Sequence, residues 1–245
     1  MTLQLKGITK SFGTTEVLDQ ISLEVKEKEF VTLLGPSGSG KSTLLKLIGG
    51  LESPDDGEIL LDGENVNGRR GHISYMPQSA SLFPWRTVLG NILLAQELSG
   101  KPDREKALMW LERAGLAGYS SAYPQELSGG MQQRVSFIRA LLSPQALMCL
   151  DEPFSALDEL MRMDMHEWLL SIWEKERRSI LFVTHNIEEA IFLSDRLFVL
   201  SSKPASIIEE FTIPFPRPRD RSLVLTDEFV SLKRQIFAAL KGGAL

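Results

Sequence analysis

The chain has 245 residues, of which 43% are hydrophobic and 24% charged, and its formal net charge is −5. This acidic balance argues against a nucleic-acid-binding protein, which usually has a basic surplus. The single cysteine, Cys149, excludes an internal disulfide and favours a reducing compartment. The start MTLQLKGITKSF is not expected to be a secretory signal, and no run approaches the roughly 20 apolar residues that cross a bilayer.

The first elements in chain order are strands and one helix. Apolar and polar residues alternate over residues 21–25, which is the period of a half-buried strand. The apolar run Phe30–Leu34 predicts a strand covered on both faces. The residues after the glycine-rich loop at 35–43 predict a helix that ends near Gly49 and Gly50. Further buried strands are predicted at residues 72–76, 146–150, 180–184 and 196–200.

A long stretch with helical periodicity, residues 87–142, lies between two of these strands. Pro102 and Asp103 indicate a helix start within it, and Gly115 indicates a stop. The tail is rich in proline over residues 213–220 and then offers an amphipathic segment near residues 229–240. Strands that alternate with helices indicate an α/β domain with a mainly parallel sheet, and the helical stretch indicates an inserted lobe.

The loop after the strand Phe30–Leu34 matches the pattern G-x-x-x-x-G-K-[ST] at Gly35, Gly40, Lys41 and Ser42. In such loops the backbone N–H groups cradle phosphates, the lysine meets the β- and γ-phosphates, and the hydroxyl can ligate Mg²⁺. A glycine loop without a ligand is the alternative. The position between a predicted strand and a predicted helix favours nucleotide binding.

The stretch LMCLDEP at residues 147–153 supplies acidic groups at the end of a buried strand. Asp151 fits a residue that holds Mg²⁺ through its water shell, and Glu152 could polarise the attacking water. A polar strand end capped by a proline is the alternative. Beside a phosphate loop, the pair predicts ATP hydrolysis.

A second candidate anion site follows at Ser128, Gly129 and Gly130, which open a helical pattern. Small residues let backbone N–H groups approach a ligand, and a helix N-terminus carries partial positive charge. The order and spacing of these motifs resemble the ATP-binding cassette ATPases over nearly the whole chain. The resemblance rests on Phe12, GPSGSGKST (35–43), MPQ (76–78), LSGGM (127–131), LMCLDEP (147–153), SALD (155–158) and VTH (183–185).

The resemblance implies a P-loop NTPase core with a mainly parallel sheet, an antiparallel β subdomain and an inserted helical lobe. It implies a nucleotide-binding domain at residues 2–230, with the lobe at about 86–142. A short tail, 206–245, is expected without an added regulatory domain.

The resemblance also explains why one chain carries two anion sites. In this family two cassettes pack head to tail, and each ATP, with Mg²⁺, lies between the glycine loop of one copy and the LSGG of the other. A second copy of this chain is therefore an expected partner, in a two-fold dimer with two sites. The expected nucleotide-binding residues are Gly35, Pro36, Ser37, Gly38, Ser39, Gly40, Lys41, Ser42 and Thr43, together with Ser128, Gly129 and Gly130.

Two further roles follow from the resemblance for residues outside these loops. Phe12 would stack on the adenine, although it could instead be a core residue at a strand end. Gln78 would sense Mg²⁺ and the γ-phosphate and would link to the helical lobe. With Ser42 and Asp151 it completes the expected metal site. The expected catalytic residues are Lys41, Gln78, Glu152 and His185.

Asp158 and His185 have a structural alternative beside their family role. Asp158 would bridge the dimer, or cap the helix that follows it, or do both. His185 would contact the γ-phosphate and position the water. The alternative is a structural histidine beside Asn186, a good N-cap with Glu189 at the capping-box position. Cys149, inside a predicted strand, is expected to be buried and apolar.

Several features resemble the importer branch for nitrate, sulfonates and taurine. Met131 stands where a glutamine is more usual, and the proline-rich tail is similar to that branch. The apolar cluster after Gln78 lies where importer cassettes meet the membrane permease, although packing within the helical lobe is an alternative. Its residues are Leu82, Phe83, Pro84 and Trp85.

The expected role is therefore the ATPase subunit of an importer, peripheral on the cytoplasmic face of the membrane. It would meet a solute-binding protein only indirectly, through the permease. An exporter ATPase is the alternative within transport. A chromosome-maintenance ATPase would carry a long coiled coil, a translation-type protein a tandem cassette, and a small-molecule kinase no LSGG.

Overall fold

The computed structural model describes residues 1–155 and 157–242. Ala156, within the SALD stretch, and residues 243–245 of the predicted tail lie outside the described residues. The described strands are β1 (Leu3–Phe12), β2 (Thr15–Val25), β3 (Phe30–Leu34), β4 (Asp56–Leu61), β5 (Glu64–Asn65), β6 (Ser74–Met76), β7 (Leu147–Asp151), β8 (Ser179–Thr184), β9 (Arg196–Leu200) and β10 (Ile207–Thr212). The described α-helices are α1 (Lys41–Ile48), α2 (Val88–Leu98), α3 (Arg104–Arg113), α4 (Gly129–Leu141), α5 (Glu159–Glu176), α6 (Ile187–Leu193) and α7 (Asp227–Gly242).

The larger sheet of the described residues has six strands in the order β10-β9-β3-β8-β7-β6. The strands from β9 to β6 are parallel to one another, and β10 pairs antiparallel with β9 at the edge. In this register Leu34 pairs with Thr184, and Asp151 pairs with Val183. The carboxyl ends of β3, β7 and β8 therefore meet at one edge, which is where open α/β sheets bind ligands.

The smaller sheet is antiparallel, with the strand order β2-β1-β4-β5. Its apolar residues share one core cluster with Val31 and Leu33 of β3 and with Leu44 of α1. Strand β2 also lies against the glycine loop, because a Cβ added at Gly40 would meet Val17 at 2.9 Å. This sheet therefore supports the loop from one side, and the predicted mainly parallel sheet with an antiparallel subdomain is confirmed.

Helices α2, α3 and α4 occupy the stretch predicted to be helical, residues 87–142. Helix α3 begins where predicted, because Asp103 caps it by accepting from the Lys106 N–H at 2.9 Å. It ends before Gly115, whose φ of +71° is in the left-handed region that favours glycine. The apolar faces of the three helices join Phe30 and Met148 in one cluster. The lobe thus extends the core of the larger sheet.

Several elements differ in length from the sequence prediction, and the strand predicted over residues 21–25 extends over Thr15–Val25. The strand predicted at 72–76 is formed only over Ser74–Met76, because Ser74 pairs with Met148 and residue 72 would lie opposite residue 146, before β7 begins. The last helix extends beyond 229–240 to Asp227–Gly242, and Phe229 and Ile236 are buried in a cluster with residues of β9. Within the described part of the chain, none of the helices combines the length and apolar composition needed to cross a bilayer.

Candidate functional site

The glycine loop lies between β3 and α1, and Lys41 is the first residue of that helix. Gly40 precedes it with a φ of +104°, and a Cβ there would clash with Val17. Only glycine fits this conformation and this close approach. The glycine loop and the start of α1 line a cavity of about 270 Å³, whose residues are Ser37, Gly38, Gly40, Lys41, Ser42, Thr43, Gln78, Glu152 and Lys203.

The Lys41 ammonium lies at the centre of this loop and is only 4% exposed. Nζ donates to the carbonyl oxygens of Gly35 and Pro36, each at 2.8 Å, and lies 3.5 Å from Ser39 Oγ. Glu152 Oε1 is 3.9 Å away. Burial lowers the pKa of Lys41, while the carboxylates of Glu152 and Asp151 act to raise it. The lysine charge is therefore held at the loop, opposite two acidic groups.

Asp151 ends β7 and faces the loop. Oδ1 accepts a hydrogen bond from Ser42 Oγ at 3.1 Å, and Oδ2 accepts one from the Tyr75 hydroxyl at 3.2 Å. Burial raises the pKa of Asp151, against the lowering effect of these two hydrogen bonds. Burial and the neighbouring Asp151 also raise the pKa of Tyr75.

The oxygens of Ser42 and Asp151 are hard ligands of the kind that Mg²⁺ prefers, and they already lie within one hydrogen bond of each other. Among residues 1–155 and 157–242, no group of three or more His, Cys, Asp or Glu side chains could hold a metal by itself. The donor set therefore fits a Mg²⁺ that also takes ligands from phosphate oxygens and water, as this ion does beside nucleotides.

Glu152 follows Asp151 but faces different partners. Its Oε2 lies 3.0 Å from His185 Nδ1. The backbone of Glu152 has a φ of +44°, an uncommon conformation for a residue with a side chain. It is held by a hydrogen bond from its N–H to Val183 O at 2.9 Å and by the Ser155 hydroxyl, which donates to its carbonyl oxygen at 3.0 Å. Such strain is typical of active sites.

Gln78 connects this site to the helical lobe, as predicted. Its carbonyl oxygen accepts from the side-chain amide of Gln133 in α4 at 3.0 Å, and its own amide donates to Ser155 Oγ at 3.4 Å. Its side chain also lines the cavity beside the glycine loop. A movement of the lobe would therefore act directly on Gln78.

The LSGG residues are not among the lining of that cavity in the described residues. Ser128 caps α4 by accepting from the Met131 N–H at 3.3 Å. Ser128 and Gly129 are exposed, and Gly130 is half-buried. The helix N-terminus is formed as predicted, but it presents its backbone N–H groups to the surface of the chain.

The positions of Phe12 and Asp158 test the structural alternatives, a core residue for Phe12 and a helix cap for Asp158. Phe12 is 47% exposed at the end of β1, with Lys10 Nζ 5.4 Å from its ring centre, so the core alternative is wrong. Asp158 caps α5 by accepting from the Met161 N–H at 3.0 Å, so the capping alternative is confirmed. The contact of Phe12 with adenine and the bridge from Asp158 to a second copy stay predictions. Cys149 is fully buried, as expected.

Of the two reciprocal hydrogen-bonding interactions of the capping box predicted beside His185, only the Asn186 cap is formed. Asn186 caps α6 by accepting from the N–H groups of Glu188 and Glu189. Glu189 does not return to the Asn186 N–H, which donates instead to Thr184 Oγ1 at 3.0 Å. The Glu189 carboxylate is buried on the inner side of α6, where polar groups of β8 and α5 reach it.

The apolar cluster at 82–85 lies on the surface. Trp85 is 71% exposed, and its ring centre is 5.1 Å from that of Phe83. Buried Asn91 of α2 fixes the turn, because Oδ1 accepts from the Phe83 N–H at 2.7 Å and Nδ2 donates to the carbonyls of Phe83 and Arg86. Leu82 packs on the core of the lobe. The alternative that Trp85 is a core residue is therefore wrong.

Sequence reasoning missed several polar residues around the site. Tyr75 was predicted only as part of a strand, and its hydroxyl contacts Asp151. Ser155, Thr184 and Glu189 were not assigned a role at the site, although they contact Glu152, Gln78 or the residues beside His185. The alternation along a strand could have indicated which face Tyr75 occupies. No local pattern indicated the other contacts.

Comparison with known proteins gives consistent results. A family model described as ABC transporter matches residues 18–155. The aliphatic sulfonates import ATP-binding protein SsuB of Bacillus cereus is 39% identical over 100% of this chain and 98% of its own length. The formylaminopyrimidine import ATP-binding protein ThiZ of Halalkalibacterium halodurans is 44% identical over 93% of this chain and 91% of its own.

A solved structure has the same fold. The ATP-binding cassette MJ0796, in a dimeric post-hydrolysis state bound to ADP and Pi, matches with a TM-score of 0.77 and 31% identity. The match covers 87% of this chain and 100% of that one. With the glycine loop, the acidic strand end and the LSGG helix in the positions described above, the chain belongs to the ABC transporter family.

Proposed function

We propose that this chain is the ATP-hydrolysing subunit that energises an ABC importer of a small solute. The observation that carries the proposal is the convergence of Lys41, Ser42, Asp151, Glu152 and His185 at the carboxyl edge of the larger sheet. The names of the relatives add the direction of transport, since those proteins are described as import ATP-binding proteins. We infer one nucleotide-binding domain at residues 2–230, with a helical lobe at about 86–142.

Binding of ATP uses the loop and the N-terminus of α1. The loop N–H groups and the helix dipole favour the phosphates. Lys41 can exchange its contacts with loop carbonyls for phosphate oxygens, which offer it a charge-assisted hydrogen bond. Ser42, Asp151 and Gln78 would hold Mg²⁺, which neutralises charge on the β- and γ-phosphates when bound. The exposed ring of Phe12 is available to the adenine.

Hydrolysis depends on the pair Glu152 and His185. The Glu152 carboxylate can accept a proton from a water that attacks the γ-phosphate, while His185, 3.0 Å from it, orients that carboxylate and reaches the phosphate. Phosphoryl transfer needs little covalent chemistry from the protein and depends on positioning and charge. The rigid backbone of Glu152 supports this positioning.

A second copy of the chain completes each site. Ser128, Gly129 and Gly130 lie outside the chain's own phosphate cavity but expose a helix N-terminus that suits phosphate. In an isologous dimer, each copy would offer this helix to the ATP of the other. The dimeric state of the related cassette supports this arrangement. Asp158, beside the start of α5, would contact the second copy.

The partner at the membrane is a permease. The exposed ring of Trp85 and the half-buried ring of Phe83 form an aromatic pair on a turn that Asn91 holds in place. Aromatic side chains that enter a pocket on a partner dominate many interfaces. We infer that Leu82, Phe83, Pro84 and Trp85 dock the chain on the permease from the cytoplasmic side, and that a solute-binding protein acts only through the permease.

Reconstitution tests this function directly. The purified chain should hydrolyse ATP with Mg²⁺, and the complex with the permease encoded beside its gene should move solute into proteoliposomes only when ATP is on the side of this chain. Sulfonates, nitrate and pyrimidine precursors of thiamine are the solutes to screen. Absence of ATP hydrolysis would contradict the enzymatic assignment, and outward transport would contradict the importer assignment.

A further inference from the structure

Glu189 lies in the first turn of α6 and is 5% exposed, yet its carboxylate is surrounded by polar groups. Thr184 Oγ1 donates to Oε2 at 2.5 Å. On the other oxygen, Oε1, His166 Nε2 lies at 3.2 Å and Arg162 Nε at 3.6 Å. A buried carboxylate is costly unless it is paired and hydrogen-bonded. The partners of Glu189 come from two separate elements, β8 and α5.

One side of this cluster leads to His185. Thr184 Oγ1 donates to Glu189 and at the same time accepts from the Asn186 N–H at 3.0 Å. The residues before and after His185 are therefore tied to a single hydroxyl, whose orientation is set by the Glu189 carboxylate. His185 in turn lies 3.0 Å from Glu152.

The other side leads to the segment that carries Asp158. Arg162 Nη2 donates to the carbonyl oxygen of Leu157 at 2.8 Å, directly before Asp158. The Arg162 guanidinium lies between two carboxylates, because Nη1 donates to Glu159 Oε2 at 3.1 Å and Nε lies 3.6 Å from Glu189 Oε1. The Nε atom is buried and makes no hydrogen bond within the described residues, so it interacts with Glu189 through charge. The distance from Arg162 Nε to Glu189 Oε1 is longer than an N–H···O hydrogen bond, which is about 2.9 Å. A small movement of either side chain would therefore form this hydrogen bond.

We propose that Glu189 is a positioning residue that couples the His185 segment to the Asp158 segment through Thr184 and Arg162. The Asp158 segment would contact the second copy, so the coupling would make the placement of His185 depend on that contact. This inference rests on the proposed ATPase function. It assigns Glu189 no contact with the nucleotide, because Glu189 is absent from the described lining of the phosphate cavity.

Glu189→Gln tests the coupling with the full-length chain. The amide keeps an acceptor for Thr184 but removes the charge that faces Arg162. We expect kcat for ATP hydrolysis to fall about 10- to 100-fold, the range caused by small misplacements of catalytic groups, while KM for ATP stays within about two-fold because no phosphate ligand changes. Glu188→Gln is the matched control, since it removes an equal charge from the same turn, where Glu188 pairs with Lys233. It should leave kcat unchanged.

Arg162→Gln reaches the same coupling from the other side and remains informative if Glu189→Gln does not fold, because the Arg162 side chain is partly exposed. If the two residues act together, the double variant should be no slower than the slower single variant. Amide hydrogen exchange gives a readout that does not depend on activity. Glu189→Gln should speed exchange at residues 157–163 as well as at 184–190.

Three results would overturn the coupling. The first is a kcat of Glu189→Gln within two-fold of wild type. The second is a double variant whose loss of kcat equals the combined losses of the two single variants. The third is an amide exchange rate at residues 157–163 that Glu189→Gln does not change. A wild-type chain without ATPase activity would instead contradict the proposed function. The exchange measurement would then still decide whether Glu189 connects the two segments.

Discussion

Asp151 and Glu152 are neighbours in sequence, but their carboxylates have different surroundings. Asp151 accepts hydrogen bonds from Ser42 and Tyr75, both hydroxyl donors. Glu152 lies between Lys41, at 3.9 Å, and His185, at 3.0 Å. The first arrangement suits a metal, and the second suits a base that takes a proton from water.

Glu152→Gln should keep ATP binding and remove most turnover, because the phosphate loop is unchanged while the amide cannot accept a proton from water. We expect kcat to fall at least about 100-fold and the ATP-bound dimer to accumulate. Phosphate release gives the rate, and size-exclusion chromatography with Mg-free ATP gives the dimer. Near-normal hydrolysis by this variant would show that Glu152 is not the base.

Tyr75→Phe should weaken the binding of Mg²⁺ without removing any of the expected metal ligands. The lost hydroxyl leaves Asp151 Oδ2 without a partner that orients it, and such losses around metal ligands typically cost about 10- to 100-fold in metal affinity. We expect the Mg²⁺ concentration at half-maximal ATPase rate to rise about 10-fold. Tyr119→Phe, which removes an exposed hydroxyl in the helical lobe, is the control. Equal Mg²⁺ dependence in both variants would contradict this role for Tyr75.

The residues that sequence alone predicted are those whose role depends on local spacing. Lys41 and Ser42 follow from one motif, and Asp103 follows from the start of one helix. Tyr75 and Glu189 could not be predicted in their roles, because each contacts a residue distant in sequence or on another element. Those contacts depend on strand register and helix packing, which a single sequence does not specify.

The turn between β6 and α2 combines a hydrogen-bonded backbone with an aromatic pair, of which Trp85 is exposed and Phe83 half-buried. Asn91 binds the backbone of the turn at three points, so the rings of Phe83 and Trp85 are held outside the core. Rigid presentation lowers the entropy lost on binding a partner. The same turn follows Gln78, which contacts α4 and the phosphate cavity. A permease docked here would therefore lie one short segment from the nucleotide.

Trp85→Ala should weaken the association with the permease and reduce transport. Truncation of an aromatic anchor at an interface often costs about 2 kcal/mol or more of binding free energy. Because Trp85 is exposed, we expect the free energy of unfolding of the isolated chain to change by less than about 0.5 kcal/mol. Its basal ATPase rate should match wild type.

Leu98→Ala provides the control for this prediction, since Leu98 is 84% exposed at the end of α2 and outside the aromatic cluster. It should leave co-purification with the permease unchanged. Co-purification and transport of the Trp85 variant at wild-type levels would contradict docking at this turn. A large fall in its melting temperature would contradict the exposed position of the ring.

Strands β3, β8 and β9 were predictable because each is a continuous apolar run, and α3 was predictable from its cap. Strands β1, β4, β5 and β10 were not predicted. Strand β6 was predicted too long because its length depends on where β7 begins. The length of α7 was underestimated, because its ends carry polar residues and its burial depends on Phe229 and Ile236 packing beside β9. In both cases tertiary pairing, rather than local pattern, sets the boundary.

Within the described residues, the whole molecule carries two half-sites that do not meet. The phosphate cavity is lined by the loop and the strand ends, and the LSGG helix begins elsewhere on the surface. A nucleotide bound at the cavity leaves one face open to solvent unless a second copy covers it. Two copies related by a two-fold axis can cover both sites at once. We therefore propose that hydrolysis depends on the pairing of two copies.

Mixing two inactive variants tests it most directly. Lys41→Ala removes the lysine expected to contact the phosphates. Ser128→Arg places a bulky, charged side chain at the LSGG and leaves the chain's own phosphate cavity unchanged. The Ser128 variant should therefore still bind ATP as a monomer. A mixed dimer holds one intact site and one site with both lesions. If one site can hydrolyse alone, an equal mixture should recover about a quarter of the wild-type ATPase rate, since half of the dimers are mixed. Loss of ATP binding by monomeric Ser128→Arg would contradict the shared site.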